Sequence, residues 1–166
     1  GSALQALDRM DEAIRAFDHT LTIDPRFARA HFNLARIRNL RYEHKRALEH
    51  ANQAVRLDPA LTDAWLLVGD IQRSLRDTAS ALGAYAAAVR AAPREPRARS
   101  ALAELLAETG HFDEARREYL AASEQAPGSV RPALGAHLLL PQVYASAAHL
   151  EQCRSQYAEG LEKLHE

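Results

Sequence analysis

The stretch Asp11–Pro25, DEAIRAFDHTLTIDP, decides the reading of this chain, because its pattern returns three more times. Alanine stands at Ala13, Ala47, Ala81 and Ala115, and proline at Pro25, Pro59, Pro93 and Pro127. Each series advances by 34 residues without an insertion or deletion. Within the stretch, Ala13, Ile14, Phe17, Leu21 and Ile23 fall on one side of a 3.6-residue period, which predicts a helix from about Asp11 to Ile23. Pro25 ends it, since proline disfavours the α region for the residue before it. A fixed period of this length predicts an array of helical units, each burying its apolar face against its neighbours rather than in one central core.

The same pattern, carried outward, predicts helix pairs at Ala28–Arg41 with Lys45–Leu57, Thr62–Leu75 with Ala79–Ala91, and Pro96–Thr109 with Asp113–Gln125. Upstream, Ala3–Arg9 reads as the end of a further first helix with Leu4 in the core, and Gly1-Ser2 as a remnant of cloning. Small residues mark the crossings: Ala35, Gly69 and Ala103 of each first helix oppose Ala47, Ala81 and Ala115 of the second, where a larger side chain would force the pair apart. Gln72, by contrast, is expected on the exposed side of its helix. After Pro127 the register holds for Val130–Leu140, with Leu134, Leu138 and Leu139 as its apolar residues. Pro141 should stop that helix, and a last one should run from Ser146 toward Leu164 with Leu150, Cys153, Tyr157, Leu161 and Leu164 on one face.

Composition narrows the classes. Hydrophobic residues make up 47% and charged residues 26%, a balance that supports folding rather than disorder. A net charge of -1 lacks the basic footprint of a nucleic-acid binder. The single cysteine, Cys153, excludes an internal disulfide and suits a reducing compartment, so a cytoplasmic location is expected. No apolar run approaches the roughly 18 residues of a spanning helix, and no membrane partner is expected. Eight histidines show neither an i, i+4 pair nor an HExxH spacing, so no metal or other cofactor is expected. With no GxSxG elbow and no glycine-rich phosphate loop, the fragment does not read as an enzyme.

Thirty-four residues with alanine and proline so placed resembles the tetratricopeptide repeat. That resemblance implies an all-α fold, a right-handed superhelix (α-solenoid) of antiparallel helix pairs. It would place repeats over 3–127, the first one incomplete and those at 28–61, 62–95 and 96–129 complete. Residues 130–166 would form an irregular fifth pair, a C-terminal cap or a junction. Departures are visible: His31 and Arg99 stand where the family favours tryptophan, which Trp65 supplies. The resemblance also implies a protein–protein interaction module that holds protein or peptide segments on the inner face of the first helices. By register that face presents Arg29, Asn33, Arg36, Asp63, Asp70, Arg73, Arg97 and Glu104. Asn33 could give and take hydrogen bonds with a peptide backbone. The matching positions are Leu67, Ala101 and Gly135, so the family's asparagine ladder has one rung here. A carboxylate clamp of the co-chaperone type is excluded for these repeats, since Asp63 and Leu67 would repel or ignore a carboxylate.

The tail carries a second resemblance. Leu140-Pro141, Val143-Tyr144, Ser146, Arg154, Tyr157 and Leu161 look like the segment that follows the repeats in bacterial SPINDLY-type proteins, relatives of the O-linked N-acetylglucosamine transferases. This implies the recruiting arm of a glycosyltransferase whose catalytic residues would lie beyond residue 166. The alternative is a stand-alone structural scaffold or assembly factor of an organelle, pilus or secretion complex. Self-association through the first helix is also expected, because Ile14, Phe17 and Leu21 would lack their usual cover.

Overall fold

A computed structural model describes residues 2–127, 129–140 and 146–165, with side chains over 9–127, 129–140 and 146–163. Among these residues there are nine α-helices and no strand: α1 Ser2–Ile23, α2 Ala28–Leu40, α3 His44–Leu57, α4 Thr62–Ser74, α5 Thr78–Ala91, α6 Pro96–Glu108, α7 Phe112–Gln125, α8 Val130–Leu138 and α9 Ala147–His165. The chain forms two compact units, residues 1–91 and 92–166. In the first, α2 packs on α3 and α4 on α5, with α1 against α2 and α3 against α4. In the second, α6 packs on α7, α7 on α8 and α8 on α9.

The 34-residue period is written into the turns. Helices α2, α4 and α6 each end in the same double-bonded cap. Tyr42, Arg76 and Gly110 take positive φ (60°, 64° and 84°), and their N–H groups donate to Asn39, Arg73 and Ala107. The next residues, Glu43, Asp77 and His111, donate back to the carbonyls of Arg38, Gln72 and Leu106 at 2.8–2.9 Å. This is the Schellman arrangement, which satisfies carbonyls the helix end would otherwise orphan. Acids hold two of these turns. Asp77 Oδ1 accepts from Ser80 N at 3.2 Å and so caps α5. Glu43 gathers Arg38 at 2.9 Å, Arg41 at 3.3 Å and Arg46 at 3.6 Å.

The start of the chain departs from this series. The position equivalent to Tyr42 is Asp8, and the one equivalent to Glu43 is Arg9, which cannot make the ion pairs that Glu43 makes with Arg38, Arg41 and Arg46. The break expected between Arg9 and Asp11 is absent, and α1 runs unbroken from Ser2 to Ile23. Ile14, Phe17 and Leu21 are half-buried, but Ile23, expected on the apolar face, is 74% exposed. The side chain of Leu4 lies outside the described residues.

The expected crossings are tight. Ala35, Ala47, Ala81, Ala103 and Ala115 have no exposed surface. A Cβ on Gly69 would lie 2.6 Å from Cδ1 of Tyr85, a side chain only 1% exposed. Tyr119, 34 residues later, takes another course. Position 103 carries alanine instead of glycine, and the Tyr119 ring lies over Gly135 of α8, where a Cβ would meet Cε2 at 2.6 Å. Gln72 is not on the exposed side: it is half-buried, and its Oε1 is buried with no hydrogen-bond partner among the described residues.

One further slot recurs. His31 Nε2 meets the Pro25 carbonyl at 3.1 Å, Trp65 Nε1 donates to Pro59 at 3.0 Å, and Arg99 Nε donates to Pro93 at 3.2 Å. Histidine and arginine therefore keep the tryptophan's polar task, tying each first helix to the proline turn before it. What they lose in ring area is balanced 19 residues on. Trp65 is matched by Ala84, Arg99 pairs with Glu118 at 2.8 Å, and His31 Nδ1 meets His50 Nδ1 at 3.1 Å.

The last pair is rotated from its expected register. Helix α8 buries Pro132 and Ala136, while Leu134 is 43% exposed. On α9, Cys153 and Gly160 are buried, but Leu150 and Leu161 are exposed. Gly160 sets this rotation, since a Cβ there would lie 2.9 Å from the backbone carbonyl carbon of His137. The two backbones approach where leucine would not fit. Pro141, Val143 and Tyr144, on which the helix stop and part of the SPINDLY resemblance rest, lie outside the described residues, as does the side chain of Leu164.

Candidate functional site

In the first unit, Arg29, Asn33 and Arg36 follow one another at i, i+4 and i+7 on α2 and so share a face. Asp63, Asp70 and Arg73 stand on α4, which touches α2 directly. Arg29, Arg36, Asp63, Asp70 and Arg73 are exposed, and Asn33 is half-buried. Leu67, at the position equivalent to Asn33, is buried and offers a partner nothing polar.

Two of these side chains are already positioned from within. The Arg36 guanidinium lies over the Phe32 ring, 5.8 Å from its centroid, a cation–π arrangement one helical turn apart. Asp70 Oδ1 accepts the phenol hydrogen of Tyr85 at 2.6 Å. Burial first, and the neighbouring Asp70 carboxylate second, push the Tyr85 phenol well above its ordinary value, with Arg73 opposing. Tyr85 thus stays a neutral donor that fixes one oxygen of the exposed Asp70. It was not singled out from the sequence as a site residue. The signal was the match between a tyrosine on α5 and the glycine at position 69 that admits it.

In the second unit, Arg97 is exposed on α6 and Glu104 half-buried. Glu104 Oε1 accepts from Arg131 Nη1 of α8 at 2.7 Å. The two are 27 residues apart on neighbouring first helices, and the same spacing in the first unit separates the oppositely charged Arg36 and Asp63. Burial raises the Tyr119 phenol, and Glu104 beside it adds to the effect. Each unit therefore sets polar and charged groups along its first helices, and in each a buried tyrosine stands behind an acid of that face.

A cavity of about 580 Å³ in the second unit is lined by Glu108, Asp113, Arg116, His149, Cys153 and Gln156, among others. Its cation is committed to structure: Arg116 Nε donates to the Ala136 carbonyl at 2.9 Å and Nη1 to Gln156, which holds α7 to α8 and α9. Cys153 is buried on α9. Among the described residues, no group of three His, Cys, Asp or Glu side chains could hold a metal, and no helix is long and apolar enough to cross a membrane.

Comparison with known proteins agrees with this architecture. Two family profiles, both described as tetratricopeptide repeat, match residues 1–62 and 72–138. No curated protein sequence matches the chain. Among solved structures, the crystal structure of MamA superposes with a TM-score of 0.76 at 20% identity, over 97% of this chain and 92% of that one. YrrB, described as a TPR protein with an unusual peptide-binding site, gives 0.72 at 22%, over 98% and 79%. Pseudomonas aeruginosa pilF gives 0.68 at 19%, over 89% and 64%. At these identities the structures show a shared fold.

Proposed function

The chain belongs to the tetratricopeptide-repeat family, and we propose that it is a non-catalytic module that holds a protein or peptide segment on the faces of its first helices. The observation that carries this reading is the contact of α2, which bears Arg29, Asn33 and Arg36, with α4, which bears Asp63, Asp70 and Arg73. The second unit carries Arg97 and Glu104 on its own first helix, α6. The peptide-binding site described for YrrB, which shares the fold, supports the choice of ligand class. Such a face binds through many small polar contacts, each worth about 0–1 kcal/mol, and gains direction from the order of its charges. An acidic part of the partner should sit against Arg29 and Arg36, because reversing it would set like charges together.

For the role of the module we favour the stand-alone scaffold. The match over 92% of the solved MamA chain, a shared fold at 20% identity, supports that choice. The SPINDLY-type reading rests on the short run from Leu140 to Leu161 and gains nothing from the comparisons. The lone cysteine keeps a cytoplasmic setting as part of the proposal. The test is the combined reversal Arg29→Glu with Arg36→Glu. Capture of native partners from a lysate should weaken while the melting temperature stays within a degree or two. An unchanged captured set would mean that the α2 face is only solvated and that recruitment uses other surfaces.

A further inference from the structure

The His31–His50 contact joins α2 to α3, and its protons can be assigned from the partners. The Pro25 carbonyl can only accept, so Nε2 of His31, at 3.1 Å from it, carries a hydrogen. The neutral His31 ring then has a bare Nδ1, which must accept from Nδ1–H of His50 across 3.1 Å. The ring centroids are 5.4 Å apart, 2.3 Å more than the two nitrogens, so the rings face each other nitrogen to nitrogen.

We propose that His31 and His50 form a proton-sensitive latch between α2 and α3, closed by the neutral imidazole–imidazole hydrogen bond and destabilised when His50 takes up a proton beside Arg38. The proton goes to the bare Nε2 of His50, which keeps its Nδ1–H toward His31 but becomes a cation in a half-buried site facing Arg38. The groups facing His50 are Asp18 from α1, Arg38 and His31 from α2, and Glu49 on α3 itself. Burial, and then Arg38 and His31, lower the His50 value against the opposing pull of Asp18 and Glu49. A histidine lowered in the fold takes its proton more readily in the unfolded chain. The latch therefore contributes fully above the ordinary value of 6.5 and loses its contribution as the pH falls below it. Protonation would weaken one of the ties between α3 and α2, the helix that carries Arg29, Asn33 and Arg36, and leave the Pro25 tie in place.

The molecule supplies its own controls, since the equivalent slots hold Trp65 with Ala84 and Arg99 with Glu118. The double variants His31→Trp with His50→Ala and His31→Arg with His50→Glu each replace the latch by a set that does not titrate near pH 6. His137, lowered by burial, Lys163 and Arg116, remains in all three proteins and gives a common background. Between about pH 7.5 and pH 5.5, either side of the histidine range, the unsubstituted chain should lose several degrees more of melting temperature than either variant. Equal losses in all three would overturn the latch. If a variant fails to fold, imidazole nitrogen NMR of the unsubstituted chain decides alone. It should show hydrogen on Nε2 of His31 and on Nδ1 of His50 near pH 7.5; the reverse tautomers would overturn the assignment.

Discussion

At the scale of the residue, two kinds of position decide stability in opposite senses. Gly69 and Gly135 are occupied by tyrosine rings, whereas a Cβ on Gly83 of α5 would meet nothing within 4 Å. Gly69→Ala should therefore cost roughly 1–3 kcal/mol by overpacking against Tyr85. Gly83→Ala should stabilise by about 1 kcal/mol through helix propensity alone. Chemical denaturation of the two variants checks this, and equal effects would mean the crossing is not packed as described. At the turns, Tyr42 and Arg76 hold left-handed backbone without being glycine, which costs about 1–2 kcal/mol each. Arg76→Gly should recover part of that, about 0.5–1 kcal/mol in unfolding free energy. Tyr42, 84% exposed, should behave alike if no packing is lost with its ring. A loss of stability in Arg76→Gly would show that its side chain, not its backbone, sets the turn.

At the scale of the element, the sequence was legible wherever a helix reports on itself. The period located α2 to α7 to within a residue or so at each end, because alanine, proline and the apolar stripe all repeat in step. It failed where an element's fate depends on a partner. Whether the chain breaks after Asp8 is not announced by the period, and Arg9 lacks the ion pairs that Glu43 makes at the equivalent turn. The face of α9 was misjudged because leucines were weighed above Gly160, although a close backbone approach is set by the smallest residue present. Gly160→Ala should therefore loosen α9 from α8, with faster amide exchange in both helices. Leu161→Lys, on exposed surface, should leave exchange unchanged. The opposite ranking would restore the leucine face. Candidate-site residues were placed on their helices by register, but the supports behind them were not. Tyr85 beneath Asp70 and Arg131 beside Glu104 come from other helices, and no single-helix period announces such pairs, whereas Phe32 beneath Arg36, at i and i+4 of α2, lay within its reach.

At the scale of the whole molecule, the account holds that two all-α units built from one repeated turn and one repeated crossing present polar first-helix faces to a partner segment. Second helices, by contrast, bury their alanines and exist to hold those faces in place. The most direct measurement is hydrogen–deuterium exchange on the chain with and without a captured partner, resolved to single helices. The account predicts that binding protects residues 28–40 and 62–74 beyond residues 44–57 and 78–91, and that Arg29→Glu with Arg36→Glu abolishes this protection. Protection confined to the second helices, or unaffected by the double reversal, would contradict it.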